Sequence, residues 1–491
     1  MSGRLLAASR QRHAAGTFMR SRTPVIAIAV PGFIVLSLSY AHTARQVGPA
    51  AVPIPVVTGP ILATARVGDP SHGYPFFSTT VDLASRGYVE EEFFIEGTAN
   101  RYTMPAPEDV TATVTVSGSD PYKTRLIVRR PASPQHFGGT VLMEWQNVTA
   151  GYDLDAVWVT SWEHIVRRGY AWIGVSAQRV GLHQAVTGLR AWSQARYGTL
   201  DVTRGGMLTD DSLCYDIYAQ AAQAVRRSSG VDPMGGLVAK RIVAVGVSQS
   251  ADRLVRYHNH IHPRAGVFDA FAVFEGGVKL RTDLDVKVFK VLSETDIAGR
   301  QAYLRQPDSS HLRRWEVAGS SHLDFHARQG LDPLQARDLG GSPPGACTQP
   351  PLSRIPFYFV GNAALDALVA WVRDGTEPAT GRDIVTPSVT PTSAVIARDS
   401  LGNALGGIRL SQHDVPIATN TGVNSGSGFC SFYGSHQPFD GKTLAALYRT
   451  HDTYVSRVRQ VTQGNVQRGF IVHEDAEATI REAVQSSIGR R

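Results

Sequence analysis

Apolar and polar positions follow two rhythms along this chain. From about residue 52 to 116 the period is that of strands: Phe76-Phe77, the run 87–95 and the alternation at 111–116 predict an antiparallel β region feeding a main sheet. Beyond it, short strands of buried type are predicted at 125–129, 139–145, 171–176, 241–245, 268–274, 286–292 and 313–317. Helical stretches fall between them, at 157–168, after residue 248, and around Leu365, Leu368, Val369 and Val372, the last stopped by Gly375. The clearest helix carries Cys214, Ile217, Tyr218, Ala221, Ala222 and Val225 on one face. Strands alternating with helices predict a mostly parallel central sheet with helices on both faces. Residues 383–395 read as a Pro/Thr/Ser linker, followed by helices at 444–461 and 475–484. The resulting organisation is a leader at 1–41, an N-terminal β region at 52–120, an α/β core at 121–380, and a linker with a C-terminal extension packed on the core at 381–491.

Composition narrows the class of partner. With 43% hydrophobic and 19% charged residues the chain is globular. The net charge of +7 does not imply a nucleic-acid partner, because it is concentrated at the start. Arg4, Arg10, Arg12, Arg20 and Arg22 precede residue 42, where no acid occurs, and the remainder is close to neutral. An uncharged stretch at 23–41 follows, ending Ser39-Tyr40-Ala41, which is the form of a secretory signal peptide. The expectation is a secreted or periplasmic protein; if the segment is not cleaved it is a membrane anchor, although Pro31-Gly32 interrupts it. Export makes the cysteines readable. Cys214 belongs to a helix face, whereas Cys347 and Cys430 lie in Gly/Ser/Pro-rich loops and are expected to form a disulfide tying the extension to the core.

Candidate chemistry centres on Gly246-Val247-Ser248-Gln249-Ser250, where an apolar strand turns into a helix. Such a turn projects a serine hydroxyl above the sheet and aims the next backbone N–H, that of Gln249, at a developing oxyanion. Small residues must flank the serine; Gly246 does so on one side, and Ser250-Ala251 replace the usual second glycine. A serine nucleophile needs a base and an acid to orient it, in loops after later strands. The strand at 286–292 runs into Ser293-Glu294-Thr295-Asp296, and that at 313–317 into Ala318-Gly319-Ser320-Ser321-His322. His322 is therefore the candidate base and Asp296 the candidate acid, with Glu294 the alternative. The second oxyanion donor is expected in residues 146–151, with Asn147 the candidate; Asn147-Val148-Thr149 also matches a glycosylation acceptor, discounted because it faces the cleft. His258, His260 and His262, and the pair His322 and His326, have no accompanying metal-site pattern, so no metal and no cofactor are expected.

The motifs GVSQSADRLVRYHNHIHP, SETDI, RQPDSS, RRWEVAGSSHLD and GNALGGIRL, with the early GYVEEEFFIEGTA, resemble those of alpha/beta-hydrolase-domain proteins whose elbow reads G-x-S-Q-S. The resemblance covers about residues 54 to 485. It implies the α/β-hydrolase fold with Ser248 as nucleophile, His322 as base and the acid within residues 294–296, and it leaves the substrate open. The combined expectation is an exported serine hydrolase of carboxylic esters, small or polymeric, working through an acyl-enzyme. Acyl transfer, lactone or amide hydrolysis would use the same residues, and a non-catalytic binding protein would need none of them. The glycine-dense stretch 402–410 suits close backbone approach, so the extension is expected to help form the substrate pocket.

Overall fold

The computed structural model describes residues 52–341 and 345–490. The leader read at 1–41 lies outside them. Among the described residues no helix is long and apolar enough to cross a membrane.

Strands β1 (Val56–Thr58), β2 (Tyr88–Thr103), β3 (Thr115–Pro131), β4 (Thr140–Trp145), β5 (Ala171–Val175), β6 (Ser229–Gly230), β7 (Arg241–Val247), β8 (Ala270–Phe274), β9 (Lys287–Ser293) and β10 (Leu312–Val317) form one sheet. Its order is β10-β9-β8-β7-β4-β5-β3-β2-β1-β6. The six strands from β10 to β5 are mutually parallel, and β3, β2 and β1 continue the sheet antiparallel. Strands β4, β5 and β8 are buried along their whole length, which is why they read as unbroken apolar runs. Helices α1 (Ala156–Arg167), α2 (Cys214–Arg226) and α3 (Gln249–Arg256) pack on it, α4 (Phe325–Leu339) packs on α1, and α5 (Phe357–Asp374) packs on the sheet. Alternate residues of the central strands divide the core: Val141 and Met143 meet α2 and α3, while Leu142 meets α1 and α5 on the other face. This is an α/β-hydrolase architecture, with every strand-to-helix turn of the parallel half opening on one edge of the sheet.

The structure departs from the sequence reading in four places. First, β2 and β3 form one long hairpin paired from Tyr88↔Pro131 to Thr103↔Thr115, so the strand read at 111–116 begins only at Thr115 and runs unbroken through Ser117-Gly118-Ser119-Asp120-Pro121 into the strand read at 125–129. β3 pairs with β5 only over residues 126–129, so Pro121 lies where a missing amide donor is tolerated. Second, α4 has no counterpart in the reading, because Gly330 and Pro333 break its apolar spacing. Asp324 caps it, accepting from Ala327 N at 2.8 Å, and Gly330 permits close approach, since a Cβ there would sit 2.5 Å from Val159 O.

Third, residues 383–395 are not a free linker. Ile384 is buried and donates its N–H to Glu316 Oε2 at 2.8 Å, and β11 (Ser388–Val389) pairs with β12 (Ala394–Val395). The polar composition belongs to the exposed hairpin, while Ile384 and Ile396 turn inward. Fourth, the helix read at 444–461 is two, α6 (Gly441–Leu447) and α7 (His451–Gln467), followed by α8 (His473–Gln485). Tyr448 breaks it, donating its hydroxyl to Pro416 O at 2.9 Å, and Thr450 then caps α7.

The extension docks closely. Ala318 N donates to Ile408 O at 3.0 Å and Ile408 N to Glu316 O at 2.7 Å, laying residue 408 beside β10. A second hairpin, β13 (Ala418–Thr421) with β14 (Ser435–Pro438), stands over the parallel half. Cys347 and Cys430 are joined by a disulfide, and Cys214 is a buried free thiol.

Candidate active site

Ser248 sits between β7 and α3 at φ 59°, ψ −118°, a conformation that costs of order 1–3 kcal/mol for a residue with a side chain. The surroundings enforce it. A Cβ on Gly246 would lie 2.8 Å from Ser250 O, and one on Gly276 would lie 2.8 Å from Ser248 O. Ser250, fully buried, bonds both the N–H and the carbonyl of Val247 through its hydroxyl at 2.9 Å, tying the turn shut. The Gln249 N–H, at the first position of α3, has no intrahelical acceptor and is free for a ligand.

The loop after β4 lies against this turn. Asn147 is spent on holding it: its N–H donates to Leu154 O at 3.3 Å and its side-chain amide to Val247 O at 2.9 Å, while Oδ1 accepts from Thr149 N at 2.8 Å. The neighbouring Val148 N–H has only a long contact, 3.5 Å to Gln249 Oε1. Gln249 also donates to Gln178 Oε1 at 3.1 Å, so its side chain braces the loop while its backbone faces the cleft.

The two acids of the β9 loop part company. Asp296 Oδ1 is 2.9 Å from His322 Nδ1, and Asp296 Oδ2 accepts from the N–H and hydroxyl of Ser293 at 2.9 and 2.8 Å. Both side chains are largely covered, His322 at 14% and Asp296 at 7% exposure. Glu294 turns away from the imidazole. Its carboxylate accepts from Gly319 N at 2.7 Å, Gly422 N at 3.0 Å and Arg398 at 2.8 Å, which makes it the peg on which the extension hangs. Thr295 completes the join, accepting from His322 N at 3.1 Å and donating to Gly422 O at 2.6 Å.

One group the sequence reading passed over stands in the same place. Glu275, just after β8, is 8% exposed and has φ 53°. Burial, and the charges of Asp296 and Asp324, push its carboxyl well above the ordinary range. Its signal in the sequence was an acid immediately after a parallel strand, followed by Gly276-Gly277.

Ser248, Glu275 and His322 open onto a cavity of about 140 Å³, walled by Leu154, Val157, Leu331, Phe357, Phe429 and Phe432. Ser248 and His322 are not hydrogen-bonded to each other; such contacts often tighten only with substrate bound. Phe429 and Phe432 come from the extension, and the Phe432 ring lies 4.9 Å from that of His322. The other histidines are packing groups. His258 and His262 meet Phe271 edge to face, and burial pushes their pKa values down to about 3 and about 4, while His260 bonds Ala112 O and His326 bonds Thr160 O.

A family model described as alpha/beta hydrolase domain matches residues 57–481. The chain belongs to that family. No curated protein matches it. Among solved structures, this alpha/beta hydrolase is similar to a serine hydrolase without a lid from Xanthomonas campestris at 13% identity, covering 44% of this chain and 88% of the other, TM-score 0.27. It is also similar to a glucuronoyl esterase from Solibacter usitatus at 10% identity, covering 59% and 88%, TM-score 0.28. A third is a putative dienelactone hydrolase from Klebsiella pneumoniae at 13% identity, covering 50% and 97%, TM-score 0.24.

Proposed function

We propose that the protein is an exported serine esterase in which Ser248 is the nucleophile, His322 the base and Asp296 the acid that orients it. The observation that carries the reading is the His322–Asp296 hydrogen bond beside a strained serine in one cavity. With Nδ1 held by Asp296, Nε2 is the nitrogen left to take the Ser248 proton as Oγ attacks the ester carbonyl. The oxyanion is received by the N–H groups of Gln249 and Val148. His322 then passes its proton to the leaving alcohol, and water, activated by the same imidazole, releases the acid from the acyl-enzyme.

The walls favour a substrate with an apolar acyl or alcohol part. Arg328, the cation of the lining, is paired with Asp332, so among the described residues the cavity presents no unpaired cation to an anionic substrate. Export is supported by the leader and by a disulfide, which persists in oxidising compartments. The test is labelling with a fluorophosphonate probe together with turnover of a panel of chromogenic esters. Wild type labels and hydrolyses apolar esters, and Ser248→Ala does neither; equal labelling of both proteins overturns the reading.

A further inference from the structure

The strands that carry Ser248 and His322 are not neighbours. Between β7 and β10 stand β8 and β9, so an imidazole reaching from the end of β10 toward Ser248 passes over the ends of both. Asp296 stands at the end of β9. Glu275 stands at the end of β8, and the two carboxyls and the His322 ring each offer an atom within 4.8 Å of the other two. Resting on the proposed role of His322, we propose that Glu275 is a reserve acid: a positioning residue that takes up the negative charge beside the imidazole when Asp296 cannot carry it.

The backbone leaves the Glu275 side chain little choice of direction. Its N–H donates to Val291 O on β9 at 2.8 Å, the preceding Phe274 O accepts from the N–H of Ser248, just after β7, at 3.0 Å, and Gly276 is pressed against Ser248. A non-glycine residue at φ 53° is strained, and here the strain aims a carboxyl into the cavity. That carboxyl has no hydrogen-bond partner among the described residues, in contrast to Glu294, whose oxygens are filled by three donors. A carboxyl that lines the cavity without a hydrogen-bond partner is a cost rather than a support to the fold, so its placement calls for another account.

The charged groups around it fix its state. Asp296 faces it from β9, Asp324 from the start of α4 and His322 from the loop after β10. Asp252 of α3 accepts from Gly277 N at 2.9 Å and is paired with Arg300. Lys290 reaches Gly277 O at 3.2 Å, and burial pushes its amine down to about 7. With Asp296 ionised, two like charges so close are disfavoured, and Glu275 keeps its proton. Removing the Asp296 charge removes that repulsion. Glu275 then releases its proton to solvent through the cavity as pH rises, and its carboxylate stabilises the imidazolium formed when His322 takes the Ser248 proton. One negative charge is shared between two carboxyls, and no other reactant is needed.

The test is the pH profile of kcat/KM for the full chain as wild type, Asp296→Asn and the double variant Asp296→Asn with Glu275→Gln. Asp296→Asn is expected to fall about 1000-fold at about pH 6 and to recover to within about 30-fold of wild type at about pH 9. The double variant is expected to stay at least about tenfold below Asp296→Asn at about pH 9, with no alkaline recovery. A double variant whose profile coincides with that of Asp296→Asn overturns the proposal. So does a Glu275→Gln variant that loses more than Asp296→Asn at neutral pH, which would make Glu275 the primary acid. Should the double variant not fold, Asp296→Asn decides alone: a profile parallel to wild type overturns the proposal. Labelling of Ser248 by the fluorophosphonate checks the reading of the site separately, so the two failures are distinguishable.

Discussion

In the antiparallel wing of the sheet, Arg125 and Arg129 are fully buried, and each meets its opposite charge directly. Arg125 Nε is 2.5 Å from Glu92, which Arg196 and the Tyr197 hydroxyl also contact. Arg129 bonds Glu90 at 2.7 Å and Asp155 at 2.6 Å, with its guanidinium between the rings of Trp158 and Trp172 at 4.8 and 4.6 Å. At the edge of the parallel half, buried charge is handled otherwise. Asp296 bonds the His322 imidazole, Glu275 has no hydrogen-bond partner among the described residues, and Ser248 is held at a positive φ. Where every charge is answered, the residues hold the wing together. Where a carboxyl is left without a partner and backbone is strained, stability is given up for something else, and that place is the cavity.

The contrast is broken most sharply by exchanging acids. Asp296→Asn is expected to lower kcat by about 1000-fold at neutral pH with little change in melting temperature. Glu294→Gln, two residues away, is expected to cost about 1–3 kcal/mol of stability, seen in denaturant titration, and to change kcat less than about threefold. The opposite ranking would transfer the acid role to Glu294. In the wing, Arg129→Met leaves Glu90 and Asp155 facing each other unneutralised; a loss of about 3–5 kcal/mol is expected, with kcat of the folded fraction preserved.

Smaller effects sharpen the comparison. Phe432→Ala removes part of the cavity wall, and kcat/KM for apolar esters is expected to fall about tenfold while acetate esters change little. The smallest effect concerns Lys290, buried beneath the edge. Its amine titrates at about 7 when folded against 10.5 ordinarily, so between those values the unfolded chain binds more protons. Stability attributable to Lys290 therefore rises with pH across that window. Urea midpoints of wild type and Lys290→Met across the same range are expected to show the rise in wild type and a flatter line in the variant.

What could be read in the sequence was local. The strand, turn and helix around Ser248 follow from an apolar run and small flanking residues within some sixteen positions of chain. The loops bearing Asp296 and His322 were legible because each follows a recognisable strand, β9 by its apolar run and β10 by its place after it. The position of Glu275 beside them was not, since it depends on which strands become neighbours in the sheet. Helix α4 escaped because a glycine needed for contact with Val159 and a proline break its periodicity, while the cap at Asp324 that starts it needs no apolar pattern. Residues 383–395 have the composition of a linker, and what anchors them is backbone and arginine bonding that composition does not reveal: Ile384 N to Glu316, Val385 N to Leu405 O, and Arg305 and Arg314 to Ile384 O and Asp383. The separate fates of Glu294 and Asp296 were equally out of reach, because what distinguishes them is Arg398 and Gly422, a hundred residues further along the chain.

The Cys347–Cys430 bond spans 83 residues and closes them into a covalent ring. That ring contains Phe357, at the start of α5, and Phe429, beside Cys430, both of which wall the cavity. Two sides of the opening are thus parts of a single loop of chain. The two walls are thereby tied to the oxidation state of one bond, so the protein with that bond intact and the protein with it reduced need not present the same opening.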